Sequence, residues 1–518
     1  MRTPILATIC ICLAAIFVAP DAIAAQLPGP SLVLYNTPYY KCVKNYYVST
    51  TGSDSNAGTS SAAAWKTLQH ANNAGRSAGD CVNVAPGTYN GVQLTKGGNL
   101  ASSTGYVVYR CTTMDACTVN GTAGPNGNAA FFATGTGSAN YVIIDGFEIV
   151  GNGTTWGAGV EINGTNDGTV GTFGSHHDWI FNSIIHGHGQ SGIALAEGDY
   201  TYVIHNTIYD NAHAPNCDSG AQGSGLADNV ALDIKYGYPN YTPTADDEKN
   251  PSPQIGSFVT GPTWFHKAYM WNLIYNNYLT PCNGSKTADT DGNNIILDTF
   301  GTINGNNVAY PDQTLIAYNI VYNAGGGGIH IFGSEYATVA NNSVYNVYLD
   351  SDNKSSDRAS VDTNNSYGNT IINNIMVSIP AAPSETCAYS VVPYAQFASA
   401  SLGGPPTGMP ADTWSHNITQ LQGGHNSCWG AFGENAPTGE NPMFQSDAYS
   451  CSSNKCATNP AWVDVGKTST GTEATPPVGA NFALQPGSPA IGYGLRETYL
   501  PATSVDVGAC PSAFKNCP

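Results

Sequence analysis

The sequence predicts an all-β solenoid, because one short motif recurs along a chain that is rich in turn-forming residues. The motif consists of two or three apolar residues, an Asn, and then further apolar residues. Its copies centre on Asn182, Asn206, Asn272, Asn319, Asn342 and Asn374, with looser copies at Asn417 and Asp145. Intervals of 24, 23 and 32 residues separate neighbouring copies, and one interval of 47 residues equals about two short coils. A recurring interval of this length indicates a stacked repeat.

Each part of the motif has a role in such a stack. Three to five residues form a short strand, and the 59 Gly and 50 Asn residues supply turns. An Asn at the same corner of every coil can hydrogen-bond the Asn of the next coil, which satisfies polar groups that the stack buries. A β-sandwich has no reason to repeat one residue type. Chance recurrence in an Asn-rich chain would not repeat the flanking apolar residues.

Charged residues are scarce in this chain. They make up 10% of its 518 residues, against about 25% in ordinary soluble proteins, and the formal net charge is −19. Disorder is disfavoured because 41% of residues are hydrophobic. A helical bundle is disfavoured because Glu, Lys, Leu and Arg are few. Nucleic-acid binding is disfavoured, since it needs clustered Lys and Arg.

The first 24 residues have the pattern of a secretory signal peptide. Arg2 precedes an apolar stretch from Ile5 to Val18, and small residues follow at Ala22 and Ala24. The apolar stretch is too short for an anchor, and no later run reaches the roughly 20 apolar residues of a spanning helix. We therefore expect a secreted or periplasmic protein with no membrane span, whose N-terminal extension covers residues 25–44.

Twelve of the 14 cysteines follow the signal peptide, and an even number in an exported chain predicts disulfides. Three pairs are close in sequence: Cys111 with Cys117, Cys451 with Cys456, and Cys510 with Cys517. The remaining six, which could pair in sequence order, are Cys42, Cys81, Cys217, Cys282, Cys387 and Cys428. A zinc site is the alternative, but the sequence has no CxxC or HExxH motif.

Several segments resemble the right-handed parallel β-helix proteins of the pectate-lyase-like superfamily. Residues 45–91 resemble the entry segment of that group: a strand, a short amphipathic helix at about residues 65–74, and then the phrase APGTY. The other similar segments are TADTDGNNIILDTF, GGGGIHIFGSEYATVANNSVYN, NPMF, LQPGSPAIGYG and VDVGAC. The resemblance spans residues 45–510. It does not fix a reaction, because the superfamily includes lyases, hydrolases, epimerases and adhesins.

The resemblance implies a right-handed parallel β-helix with a short N-terminal capping helix. The β-helix is expected at residues 45–380, with an inserted loop at 236–264. Residues 381–518 are expected to form irregular, disulfide-stapled coils and the cap of the same β-helix.

The strand that precedes each Asn motif can be aligned by its inward aliphatic residues, since alternate residues of a strand face opposite sides. The aligned segments are 192–197, 231–236, 294–299, 328–333 and 360–365. One outward column is then Ala194, Asp233, Ile296, His330 and Asp362, and the other is Ala196, Lys235, Asp298, Phe332 and Asn364. In a chain so poor in charge, this concentration of Asp, Lys and His predicts the active face. The predicted catalytic residues are Lys235, Asp233, Asp298 and His330.

The predicted cluster suits a lyase that acts on a uronic-acid polymer of the pectate or alginate type. Such an enzyme removes the proton α to a carboxylate, so it needs a base and a group that stabilises the enolate-like charge. Lys235 is the candidate base, although two neighbouring carboxylates would raise its pKa. Ca²⁺ held by Asp289, Asp291 and Asp298 would neutralise these carboxylates and contact the substrate acid. The segment DTDG at residues 289–292, which contains two of these ligands, could instead be a simple turn between coils.

Two alternatives remain open from the residues alone. Asp233 and Asp298 would lie about 8 Å apart by strand geometry, which is within the range of an inverting glycoside hydrolase pair. The same residues could also form a surface ion-pair ladder without catalytic function, on a solenoid that only binds glycans or mediates adhesion.

The inserted loop supplies candidate substrate-binding residues. Its aromatic side chains, Tyr236, Tyr238, Tyr241 and Trp264, suit stacking on sugar faces, as does Phe332, and Asp362 extends the polar column. The loop tyrosines could alternatively pack on the β-helix itself. The expected partner is a polysaccharide substrate; the sequence does not indicate an oligomeric state.

Overall fold

The computed structural model describes the coils of the solenoid and the segments that enter and leave them. The described residues are 40, 42–99, 105–124, 127, 129–134, 139–152, 157–163, 177–196, 200–212, 223–229, 265–277, 292–298, 313–334, 336–345, 347, 360–364, 366, 368–378, 391–393, 412–421, 444–446, 451–452, 455–456, 481–484, 494 and 508–509.

The chain is an all-β, right-handed parallel β-helix, as predicted. Three long sheets run along it, and within each sheet every strand pairs in parallel with the strand one coil before and one coil after. The three sheets are named A, B and C, and successive strands of the chain belong to sheets A, B and C in turn. Right-handed crossovers between parallel strands follow from the twist of L-amino-acid strands.

Sheet A contains β1 (Lys44–Val48), β2 (Asp80–Val84), β5 (Val107–Cys111), β8 (Val142–Asp145), β11 (Asp178–Phe181), β14 (Tyr202–Ile204), β17 (Phe265–Met270), β20 (Gln313–Ala317), β23 (Ala337–Ala340), β26 (Thr370–Ile372) and β29 (Thr413–Ser415). Sheet B contains β3 (Gly87–Asn90), β6 (Cys117–Asn120), β9 (Glu148–Val150), β12 (Ile184–His186), β15 (Thr207–Tyr209), β18 (Leu273–Tyr275), β21 (Ile320–Tyr322), β24 (Ser343–Tyr345), β27 (Ile375–Ser378) and β30 (Ile418–Leu421). Sheet C contains β4 (Val92–Gln93), β7 (Phe131–Thr134), β10 (Val160–Asn163), β13 (Ile193–Ala196), β16 (Leu226–Asn229), β19 (Ile295–Asp298), β22 (Ile329–Phe332), β25 (Val361–Asn364) and β28 (Val391–Pro393).

Smaller elements flank the three sheets. A 3₁₀ helix at Ser61–Ala63 precedes helix α1 at Leu68–Asn73, which is the predicted capping helix. Thr67 begins α1, because its hydroxyl accepts a hydrogen bond from the backbone N–H of His70. Near the C-terminus, β31 (Phe444–Ser446) pairs with β34 (Asn481–Leu484), and β32 (Cys451–Ser452) pairs with β33 (Lys455–Cys456), both antiparallel. No helix among the described residues is long and apolar enough to cross a membrane.

The predicted Asn ladder is present at the corner between sheets A and B. Each side-chain amide donates to the amide oxygen of the Asn one coil further on, over 2.9–3.1 Å. The ladder runs through Asn206, Asn272, Asn319, Asn342, Asn374 and Asn417. The residue before each of these six has a positive φ, between 54° and 58°, so the chain turns sharply at this point. The ladder offsets the cost of about 1–2 kcal/mol that a non-glycine residue incurs there.

The predicted position of Asn182 in this ladder is wrong by one residue. Phe181 pairs with Ile204, so Ser183 is opposite Asn206 and donates its backbone N–H to the Asn206 amide oxygen. Asn182 is the positive-φ corner residue instead, and its side-chain amide contacts Asp145. Asp145 also lies outside the ladder, because it pairs with Phe181. The coil from Ser183 to Asn206 is therefore one residue shorter than the motif spacing predicts.

Two of the predicted disulfides are present. Cys42 is bonded to Cys81, which fastens the entry segment to sheet A, and Cys111 is bonded to Cys117. Cys451 lies opposite Cys456 in the antiparallel pair of β32 and β33, and their bond remains a prediction. The other predicted cysteine pairs include residues outside the described ranges.

Candidate active site

The outer face of sheet C carries partly exposed side chains on successive central strands. On sheet A the outward aromatic residues Trp179, Phe181 and Tyr202 are buried in a second apolar cluster. On sheet B, Tyr209, Tyr275 and Tyr322 form a buried stack of parallel rings. Several outward side chains of sheet C are partly exposed, namely Glu161, Ala194, Ala227, Asp298, His330 and Phe332. A ligand can therefore reach this face.

The predicted alternation of inward and outward residues holds on four of the five aligned strands of sheet C. On β19 and β22 the inward residues Ile295, Leu297, Ile329 and Ile331 have no exposed surface and belong to the aliphatic core. The strands pair in register, so Ile296, His330 and Asp362 form one outward column. Asp298 and Phe332 lie in the second column.

The predicted place of segment 231–236 between β13 and β19 is wrong. Residues Leu226–Asn229 form β16 and take its place between β13 and β19. Ala227 therefore occupies the place predicted for Asp233, and Asn229 occupies the place predicted for Lys235. Both predicted residues lie outside the described part of the chain, so their catalytic roles remain predictions without the aligned strand as support.

His330 and Asp362 form the central contact of the face. Nδ1 of His330 lies 2.5 Å from Oδ1 of Asp362 in the next coil. The Asp362 side chain is fully buried, whereas 12% of the His330 side chain is exposed. A buried carboxylate that contacts one ring nitrogen fixes the orientation and tautomer of an imidazole, and it stabilises the protonated ring.

Asp298 lies one coil before His330. Burial raises the pKa of Asp298 above its ordinary value, and the nearby His330 opposes part of that shift. Its Oδ1 atom is buried and makes no hydrogen bond within the described structure. A carboxyl group in this environment holds a proton at higher pH than an exposed one, so Asp298 can act as an acid.

Phe332 provides an apolar surface beside these polar groups. It pairs with Asp298 in the register of β19 and β22, and its ring centroid lies 5.8 Å from that of His330, with 25° between the ring planes. A partly exposed aromatic ring next to an acid and a base suits contact with the apolar face of a sugar.

The other predicted binding residues lie outside the described ranges: Tyr236, Tyr238, Tyr241, Trp264, Asp289 and Asp291. Of the predicted calcium ligands only Asp298 is described, and its buried, unsatisfied Oδ1 is compatible with that role. The described residues contain no group of three or more His, Cys, Asp or Glu side chains that could hold a metal ion. The calcium site therefore remains a prediction.

Sequence reasoning missed one polar pair on the same face. Glu161 and Asn163 are the outward residues of β10, and the Asn163 amide donates to Glu161 Oε1 over 2.8 Å. Burial raises the pKa of Glu161, and this hydrogen bond opposes the shift. The segment VEIN has the same alternation as the aligned strands, so extending the alignment to residue 160 would have identified both residues.

Comparison with known proteins adds a likeness of fold. No protein-family model and no curated protein matches the chain. Among solved structures, pectate lyase Pel9A is 16% identical over 94% of this chain and 99% of its own, with a TM-score of 0.49. XylC in complex with xylose is 11% identical over 73% of this chain and 76% of its own, with a TM-score of 0.42.

A third similar structure is the A-module of mannuronan C-5 epimerase AlgE4 from Azotobacter vinelandii. It is 12% identical over 68% of this chain and 83% of its own, with a TM-score of 0.36. At these identities the likeness concerns the fold alone.

Proposed function

We propose that this protein is a secreted enzyme that degrades a polysaccharide on the outer face of sheet C. The observation that supports this most directly is the contact between His330 and the buried Asp362, with Asp298 one coil away. The three side chains combine a candidate base, the group that orients it and a candidate acid. A binding or adhesion surface needs no such combination.

The reaction that we propose first is β-elimination of a uronic-acid polymer. His330, held at Nδ1 by Asp362, takes the proton from the carbon next to the substrate carboxylate through Nε2. The electron pair left on that carbon forms the new carbon–carbon double bond, and the glycosidic carbon–oxygen bond breaks. The departing oxygen keeps the electron pair of the broken bond, and Asp298 gives it a proton, so it leaves as a hydroxyl group.

A role for Lys235 is part of this proposal. Lys235 follows Asn229, the last residue of β16, by six residues. Lys235 would contribute a cation for the substrate carboxylate, in place of the base role that His330 takes here. Ca²⁺ bound with the help of Asp298 would neutralise the same charge, and Asp298 would then be a ligand instead of the acid.

Glycoside hydrolysis is the second candidate, and the raised pKa of Asp298 favours it. An inverting hydrolase needs one carboxyl group that donates a proton to the leaving oxygen. His330 with Asp362 would then activate the attacking water. The non-catalytic glycan binder is the outcome that remains if neither reaction is found.

Incubation with pectate, alginate and neutral glycans distinguishes these functions. The experiment follows the absorbance of the new unsaturated uronate and the release of reducing ends, with and without a chelator. Absorbance together with reducing ends supports the lyase, and reducing ends alone support the hydrolase. Loss of activity on chelation supports the calcium site.

Two variants connect an observed activity to this face. His330→Ala should remove most of the activity, whereas Gln93→Ala should leave it unchanged. Gln93 lies in the same outward column but six strands away on β4, about 29 Å at the usual strand spacing. Binding of a polymer without cleavage by the natural protein would contradict the enzyme proposal.

A further inference from the structure

An ion pair lies inside the β-helix, where the other residues are mostly aliphatic. Asp228 points inward from β16, at a position where the adjacent strands have Leu195 and Leu297. Nζ of Lys267, on β17 of sheet A, lies 3.1 Å from both Asp228 carboxylate oxygens. Tyr269 donates its hydroxyl to Asp228 Oδ2. The side chains of Asp228 and Lys267 have no exposed surface.

Stability alone is a poor reason for this ion pair. Burying two charges carries a large desolvation cost, and well-packed hydrophobic residues are often as stable or more stable in the same place. The best-attested use of a buried polar group is to select one register among several that pack equally well. Asp228 lies just before segment 231–236, which is the alternative strand that this ion pair would exclude.

By sequence pattern, two neighbouring segments are candidates for the place of β16. One is LADN at 226–229, which forms β16, and the other is ALDIKY at 231–236. The second has the better aliphatic pattern, because Leu232 and Ile234 would both face inward, as the inward residues of β19 and β22 do. With that segment in place, Lys267 would be buried without a carboxylate partner from this strand.

We propose that the Asp228–Lys267 ion pair sets the register of the coil that contains β16. It places Ala227 beside Ile296, and Asn229 beside Asp298, on the outer face. Without the pair, segment 231–236 competes for the same place and brings Asp233 and Lys235 next to these residues. Asp228 and Lys267 are thus positioning residues that decide the composition of the face beside Asp298. This inference does not depend on the proposed reaction.

Engineered disulfides report the register directly, because residues opposite each other on neighbouring strands lie about 4.8 Å apart, within the range for a disulfide. The structural reporter is Ala227→Cys with Ile296→Cys, which cross-links when Leu226–Asn229 lies beside β19. The alternative reporter is Asp233→Cys with Ile296→Cys, which cross-links when segment 231–236 takes that place. Each reporter is placed in the natural chain, in Lys267→Met, and in the Asp228→Leu/Lys267→Met double variant. Mass spectrometry of proteolytic peptides then measures the cross-linked fraction after mild oxidation.

The natural chain should form only the structural cross-link. Lys267→Met leaves the Asp228 carboxylate buried without its cation, so the alternative cross-link should replace the structural one. The double variant removes both charges, so both cross-links should form and the structural one should fall at least about twofold. Because the double variant leaves no uncompensated charge, it decides the question if Lys267→Met does not fold.

Glu161→Cys with Ala194→Cys is the matched control, since β10 and β13 pair in register away from the ion pair. This cross-link should form in every background and shows that sheet C is intact. The structural cross-link alone in the double variant, with the control unchanged, would overturn the proposal. The alternative cross-link in the natural chain would overturn it too.

Discussion

Nδ1 of His330 lies 2.5 Å from Oδ1 of Asp362, and the strands β22 and β25 place the two residues directly opposite each other. The carboxylate is buried and the imidazole reaches the surface. The stacking of the coils therefore fixes one nitrogen of the ring by a side chain that substrate cannot reach. This contact makes His330 the best-supported base on the face. A substitution of Asp362 tests the contact while leaving His330 in place.

Asp362→Asn should lower kcat about 10²–10³-fold with little change in KM, because it removes the charge that stabilises the protonated imidazole but not the binding surface. Steady-state kinetics on the polymer that the natural protein cleaves provide the measurement. The His330→Ala/Asp362→Asn double variant should be no slower than His330→Ala alone, since the two residues act as one unit. Additive losses would argue against the pair.

Asp298→Asn should remove the alkaline limb of the pH–rate profile. Asp298 works as an acid only while protonated, and its pKa is raised by burial, so activity should fall as pH rises through that raised pKa. Asn cannot transfer a proton at any pH, so the variant should have a low rate without this limb. Profiles of kcat/KM against pH test this, and an unchanged alkaline limb in the variant would assign the limb to another group.

Asn319→Ala should lower the free energy of unfolding by about 3 kcal/mol. Asn319 donates to Asn342 Oδ1 and to the Tyr269 carbonyl, and its own Oδ1 accepts from the backbone and the side chain of Asn272. The substitution leaves buried donors of Asn272 without their acceptor. Denaturant unfolding measures the change, and Asn90→Ala, at an exposed position of β3, should cost less than about 0.5 kcal/mol.

Asp412→Asn should stabilise the fold at neutral pH. Oδ1 of Asp412 accepts the backbone N–H and the side-chain amide of Asn369, the same two hydrogen bonds that Asn417 accepts from Asn374. At the entry to β29, Asp412 therefore accepts the same pair of hydrogen bonds as a ladder Asn does at the corner after that strand, and an amide oxygen can replace its carboxylate oxygen.

The direction of the effect follows from the pKa of Asp412, which burial raises from 3.8 to about 6. A raised folded-state pKa means that the carboxyl favours folding fully below about pH 4 and loses this contribution as pH rises through 6. Asn does not titrate, so the variant should gain about 2 kcal/mol at pH 7.5 and little at pH 4. Asp54→Asn is the control with the opposite sign, because hydrogen bonds from Thr67 and Lys66 lower the pKa of Asp54 despite burial. An equal gain at both pH values would contradict this explanation.

The repeat could be derived from the sequence because its cause is local. Asn319, Asn342 and Asn374 recur with the same apolar flanks, since each coil must satisfy the same buried corner and fill the same interior. The alternation that places His330 and Asp298 on the outer face is equally local, because the two sides of a strand alternate with every residue. The fold and the outward placement of His330 and Asp298 follow from these two periodicities.

Register between distant strands is not a local property. Asn182 matches the motif, yet pairing across coils gives the ladder position to Ser183. The aliphatic pattern favours residues 231–236, yet Leu226–Asn229 pairs with β19.

The sequence by itself thus determined an all-β solenoid, its turn residues, the local pairing of Cys111 with Cys117, and the outward direction of His330 and Asp298. Only the tertiary structure decided which residues stand beside them. The reason is physical: a one-residue slip or an alternative segment preserves every local pattern. The choice between registers rests on contacts between residues far apart in the chain, as between Asp228 and Lys267.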